Sequence, residues 1–259
     1  MVKIILIIKN FFRKIEISKY TLLLILLIFV TGLIKDFFAI LILIIFHEFG
    51  HYFMSYIFNW KIKKIIIYPF GGYIVFDEVI DKPLLEELIV TIFGPIFQII
   101  IYFMVYILYK KYYIDDYFFN LVKEYHYSIL LFNLLPIIPL DGSKLVNIIL
   151  NRLFSFKISY VLLYIVSVIS IILFIVFNIN NHSYIFLLPF LFYELIFYIK
   201  NRDYMFNRFI YEKYLYKNNY KTYIYVDNIT KMKRNRKHIF KLNGHFYNEK
   251  DGIKKIKGV

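Results

Sequence analysis

Long apolar runs follow one another along this chain, and polar residues break them at intervals close to the thickness of a bilayer. Six segments, roughly 19–34, 37–58, 84–109, 125–150, 158–178 and 183–200, are each near the length a helix needs to cross a membrane. The first and last are short and call for tilt or extension at their ends. Between the second and third lies an apolar stretch from Ile65 to Phe76 that is too short to span and is interrupted by Pro69 and Gly71-Gly72. It reads as a re-entrant loop or small hairpin, which membrane depth tolerates only where protein or a water-filled cavity covers it, or else as an ordinary interfacial hairpin. The expected fold is an all-α polytopic membrane protein with about six transmembrane helices, this hairpin loop and a small cytoplasmic C-terminal domain. The expected boundaries are 1–200 for the transmembrane part and 201–259 for the tail.

Composition agrees with the pattern. The 259 residues are 60% hydrophobic with a mean hydropathy of +0.61, too apolar for an ordinary soluble domain. The net charge is +14, and it is concentrated: Lys200 to Val259 hold 16 Lys+Arg against 5 Asp+Glu. A basic tail following a span points to membrane lipid and topology before nucleic acid, so no direct nucleic-acid partner is expected. Lys and Arg alternate between sparse and dense loops, which puts both termini in the cytoplasm. The basic N-terminus, Met1 to Tyr20, lacks a small-residue cleavage site and reads as an interfacial helix. The tail carries Asn243-Gly244 between two short apolar-alternating runs, a two-residue hairpin signal, so it is at least partly folded.

The chemistry sits in the second segment. His47-Glu48-Phe49-Gly50-His51 is H-E-x-x-H inside a continuous apolar helix. The spacing puts two imidazoles on one face, where both can bind one Zn²⁺, and places the glutamate to take a proton from water. Polar groups at this depth are costly and usually functional. There is no cysteine, so His and carboxylate must hold the metal, and zinc is compatible with that set.

A third ligand is needed, and acidic residues are almost absent from the segments. Glu194 reads as a solvated or locally paired end residue. Asp141 follows Pro136 and Pro139 and precedes Gly142, in a segment that these residues break. Counted from the ends of their segments, His51 and Asp141 lie at similar depth, so Asp141 is the favoured ligand; the alternative is pairing with Lys144. Asn133 in the same stretch would bind substrate backbone or brace the break. His126 and His182 read as structural or solvated, and His238 and His245 in the tail are too far away to suggest a metal site.

His47-Glu48-Phe49-Gly50-His51, with Pro69-Phe70-Gly71-Gly72, Gly94-Pro95 and Asn133-Leu134-Leu135-Pro136…Pro139-Leu140-Asp141-Gly142, resembles the site-2 protease family of intramembrane metalloproteases. That resemblance implies a zinc metalloendopeptidase with one Zn²⁺ per chain held by His47, His51 and Asp141, and Glu48 as general base. It implies that Asn133, Pro139, Gly71 and Gly72 lie along the substrate. Within the family the likeness points to the branch that removes the pro-sequence of a sporulation sigma factor in the mother-cell membrane around the forespore. Inhibitory membrane proteins of the sporulation complex would be its partners, and a homo-oligomer is an open possibility. The tail is short for a nucleotide-binding module of the kind found in relatives, so nucleotide binding there is only weakly expected. The rival functions are a membrane zinc transporter or sensor and a proteolytically idle scaffold.

Overall fold

A computed structural model describes residues 2–68, 71–76, 80–178, 187–215, 220 and 222–258. Pro69 and Phe70 of the apolar hairpin, and His182, lie outside the described residues. The chain is mostly helical and groups into two compact units: 1–78 with 89–133, and 79–88 with 134–259.

The first unit begins with α1 (Val2–Arg13), β1 (Ile15–Ile17), α2 (Lys19–Thr31) and α3 (Ile34–Ile57). Ile7 and Phe11 of α1 pack with Tyr52 of α3, Phe11 edge-on to the rings of Phe49 and Tyr52. The basic N-terminal stretch is therefore a helix followed by a strand and the start of the next helix. Ser18 caps α2, its hydroxyl accepting from Thr21 N–H at 3.2 Å. In α3 the residues at every fourth position, Ala39, Leu43, His47, His51 and Ser55, are all buried. One stripe of the helix thus carries both core and chemistry.

β2 (Ile62–Tyr68) and β3 (Gly71–Phe76) pair antiparallel, and β1 adds in parallel on the far side of β2, with Ile15 opposite Ile65 and Ile17 opposite Ile67. The sheet order β1-β2-β3 leaves β3 at an edge. The apolar interruption between the second and third segments is therefore a strand hairpin, and an all-α description omits these strands.

α4 (Leu84–Lys110) runs through Pro95, and α5 (Asp116–Leu134) follows a short turn. Ile101 and Val105 of α4 pack with Phe119 and Val122 of α5 around Leu43 and Ala39. Among the described residues, three helices, α3, α4 and α7 (Phe156–Phe177), are long and apolar enough to cross a membrane. Less than half of each is buried, and α4 and α7 expose Ile99, Phe103, Ile165, Ile172 and Phe177 among others. Apolar faces on this scale suit lipid rather than water.

The expected span at 125–150 is not one helix. α5 ends at Leu134 and α6 (Asp141–Leu153) starts seven residues later. Pro136 and Pro139 cannot donate to a helical ladder. The freed groups find other partners: Leu140 N–H donates to Ile137 C=O at 2.7 Å and Ile138 N–H to the Ser167 hydroxyl at 3.3 Å. α2 and α8 (Leu188–Lys200) have 13 residues each, shorter than the apolar segments that contain them.

In the second unit, α9 (Arg202–Leu215), β4 (Tyr223–Val226), a 3-10 turn at Ile229–Lys231, β5 (Lys237–Leu242), β6 (His245–Tyr247) and α10 (Glu249–Lys257) close over the start of α7. Phe209, Met232 and Phe240, all fully buried, share a core with Phe156 and Tyr160. β4 lies parallel to β5, and β5 antiparallel to β6. Asn243 and Gly244 join that hairpin with φ of 49° and 83°, the two positive values a type I′ turn requires.

Part of the basic charge of this region is buried in ion pairs. Lys213, 1% exposed, donates to Asp81 at 2.7 Å, and the Arg234 guanidinium forks onto Glu87. Asp81 also accepts from Asn235 N–H at 3.0 Å. Glu212 accepts from Ile80 N–H at 2.5 Å and from Arg208, while burial pushes its carboxyl up. His238 is buried as well: Nε2 accepts from Lys233 N–H at 2.9 Å, which leaves the Nδ1 proton for Glu249 at 2.6 Å. That arrangement makes it a structural histidine.

Candidate metal centre

His47, Glu48 and His51 are 3%, 6% and 4% exposed, and their ligand atoms all lie within 4.8 Å of one another. The orientation of both rings is set from α4. His47 Nδ1 is 3.0 Å from Gln98 Oε1, and His51 Nδ1 is 2.8 Å from Val90 C=O. Gln98 itself is anchored, its Nε2 donating to His126 C=O at 3.0 Å, and the His126 ring stacks on Tyr102 at 4.2 Å. That donation fixes which end of the amide is oxygen. Each Nδ1 thus faces an oxygen acceptor, and the two Nε2 atoms are left turned toward each other, 3.1 Å apart. The donor set and the carbonyl and amide behind the rings together fit a zinc ion.

Close approach makes this geometry possible. A Cβ on Gly50 would strike Phe93 C=O, and one on Gly94 would enter the His51 ring. The two glycines let α3 and α4 meet where the imidazoles need backing. Gly72, on edge strand β3, abuts Glu48; a Cβ there would collide with the Glu48 side chain. Gly71 precedes it at the start of the strand.

The remaining residues singled out from sequence lie elsewhere along the chain. Asn133, the last residue of the first unit, is half-buried near the end of α5. Pro139 stands in the break between α5 and α6. Asp141 opens α6 in the second unit, is 3% exposed, and accepts from Lys144 Nζ at 2.8 Å. Gly142 beside it abuts Leu134 C=O and Leu135 C=O. Among the described residues, His47, Glu48 and His51 form the one cluster of three potential ligands. Gln98 escaped the sequence reading. Its signal was present, a single amide in an apolar helix, since such a group must find a buried partner.

Residues 36–126 match peptidase family M50. The matched stretch contains His47, Glu48 and His51 with Gly72, Gly94 and Gln98, and stops short of Asn133, Pro139 and Asp141. The chain is 37% identical over 127 residues to stage IV sporulation protein FB of Bacillus subtilis, covering 49% of this chain and 44% of that protein. It is 29% identical over 128 residues to a zinc metalloprotease of Methanocaldococcus jannaschii, covering 46% and 37%. The chain thus matches less than half the length of these curated relatives. Among solved structures it is similar to a site-2 protease from Methanocaldococcus jannaschii, with a TM-score of 0.54 and 21% identity over 70% of this chain and 88% of the other. The resemblance to the site-2 protease family holds in sequence, and the fold is of that type.

Proposed function

We propose that this protein is an intramembrane zinc metalloendopeptidase that hydrolyses a peptide bond near the cytoplasmic membrane face. The observation that carries the reading is the pair of Nε2 atoms turned toward each other 3.1 Å apart, each imidazole backed by an acceptor, with Glu48 alongside. His47 and His51 would hold one zinc, with Asp141 as the third ligand. When bound, the zinc would polarise the peptide carbonyl and acidify water. Glu48 takes the proton of the attacking water and passes it to the leaving nitrogen. Edge strand β3 offers backbone groups to which an extended substrate can add, and Gly72 removes the side chain that would separate that strand from Glu48. Gly71, Asn133 and Pro139 would complete the grip on the substrate.

The membrane reading carries the rest: multi-pass, about six crossings, both termini cytoplasmic, and residues 201–259 as a cytoplasmic domain. Likeness to stage IV sporulation protein FB favours the pro-sequence of a sporulation sigma factor as substrate, inhibitory membrane proteins as regulators and the membrane around the forespore as location. A transporter would call for ionisable groups along a whole route, and the single described cluster does not favour that rival.

The test is co-expression with a tagged pro-sigma factor from the same genome. Wild type should shorten the substrate on a gel and Glu48→Gln should not. Shortening by the Glu48→Gln variant would overturn the mechanism.

A further inference from the structure

The strongest feature that the proposed reaction does not use is a groove of about 540 Å³ between α9 and α10. Its floor is apolar, with Ile253 only 4% exposed, while Tyr204 and Tyr211 on α9 are 63% and 61% exposed. The charged residues lining it are all cationic: Arg208, Lys254 and Lys257. Lys257 is held across the groove by Asn207 Oδ1 at 2.8 Å. Arg208 is already engaged with Glu212 at 3.0 Å, so among the described residues the lysines supply the uncompensated charge.

We infer that this groove binds the headgroup of an anionic phospholipid. Two observations choose lipid over an acidic peptide. α9 starts at Arg202, two residues after the end of α8, whose Tyr193, Ile196 and Phe197 expose an apolar face suited to a bilayer. Exposed tyrosines interleaved with Lys and Arg just beyond an apolar helix are the pattern of a membrane interface, where ring and ammonium meet the headgroup layer. The tyrosine walls and isoleucine floor take the glycerol and upper acyl region, and the lysines take the phosphate. The inference rests on the reading that α8 enters the membrane, and not on the proteolytic chemistry.

The full-length protein in neutral detergent would be titrated with phosphatidylglycerol, phosphatidylcholine and glycerol phosphate, and separately with an acidic peptide, and the bound molecules counted by native mass spectrometry. Wild type should retain phosphatidylglycerol in preference to the other two. Lys254→Glu with Lys257→Glu should weaken that retention roughly tenfold. Lys241→Glu with Lys250→Glu changes the net charge equally outside the groove and should leave it intact. Equal loss in both double variants would reduce the effect to diffuse charge and overturn the site. Glycerol phosphate binding as well as the lipid would make it a free-anion site, and retention of an acidic peptide but no phosphatidylglycerol would make it a peptide groove; either overturns the inference. A circular-dichroism melt of each variant separates lost binding from lost fold. No peptide is cleaved in the assay, so its failure leaves the proposed protease standing.

Discussion

The two units of this molecule both bury charged or polar side chains, and they do so in opposite ways. In the second unit Lys213 faces Asp81 and Arg234 forks onto Glu87, so each charge meets its opposite. In the first, His47, Glu48 and His51 bring a carboxylate and two facing ring nitrogens together, with no lysine or arginine in the set. Buried groups that cancel one another hold a fold together. Buried groups of one electrostatic sense, each braced from behind, make a site for a cation.

The largest effect that would sharpen this contrast is on turnover. Glu48→Gln keeps the shape of the side chain but not its basicity, and cleavage should fall by about 10³-fold or more with zinc retained. The ion pairs should answer in stability instead. Lys213→Met takes the ammonium away from the buried Asp81 carboxylate and should cost about 3–5 kcal/mol, read as an earlier thermal transition in detergent. Replacing both partners, Lys213→Met with Asp81→Leu, should recover much of that loss. If the single variant melts like wild type, the pair is not holding the second unit together. Next, Gln98→Leu removes the acceptor behind His47 and should weaken zinc binding by about 10–100-fold in a chelator titration. Unchanged affinity would mean that the amide braces only His126. Smallest, Gly72→Ala pushes on Glu48 and should slow cleavage by roughly tenfold with zinc content unchanged.

The parts of this contrast were unequally visible in the sequence. The imidazole pair was legible because H-E-x-x-H is local: helical period alone puts residues 47 and 51 on one face, and the surrounding apolar run makes them conspicuous. The helix break before Asp141 was legible for the same reason, since two prolines act on their own backbone. The second unit's ion pairs were not. Asp81 and Lys213 are far apart in sequence, and nothing in a basic tail says which lysines will be buried. β1 was hidden too, because three residues, Ile15 to Ile17, become a strand only when β2 offers them an edge. Gln98 lay between these cases, conspicuous as a polar residue in α4 but without any local sign that its partner was His47.

The most direct test of the contrast is the zinc content of purified full-length protein, measured for wild type, His51→Ala and Arg234→Met. Close to one zinc per chain is expected in wild type and in Arg234→Met, and little in His51→Ala. Wild type without zinc after purification in zinc-supplemented buffer, or His51→Ala retaining as much as wild type, would contradict the assignment of the imidazole pair as the metal centre.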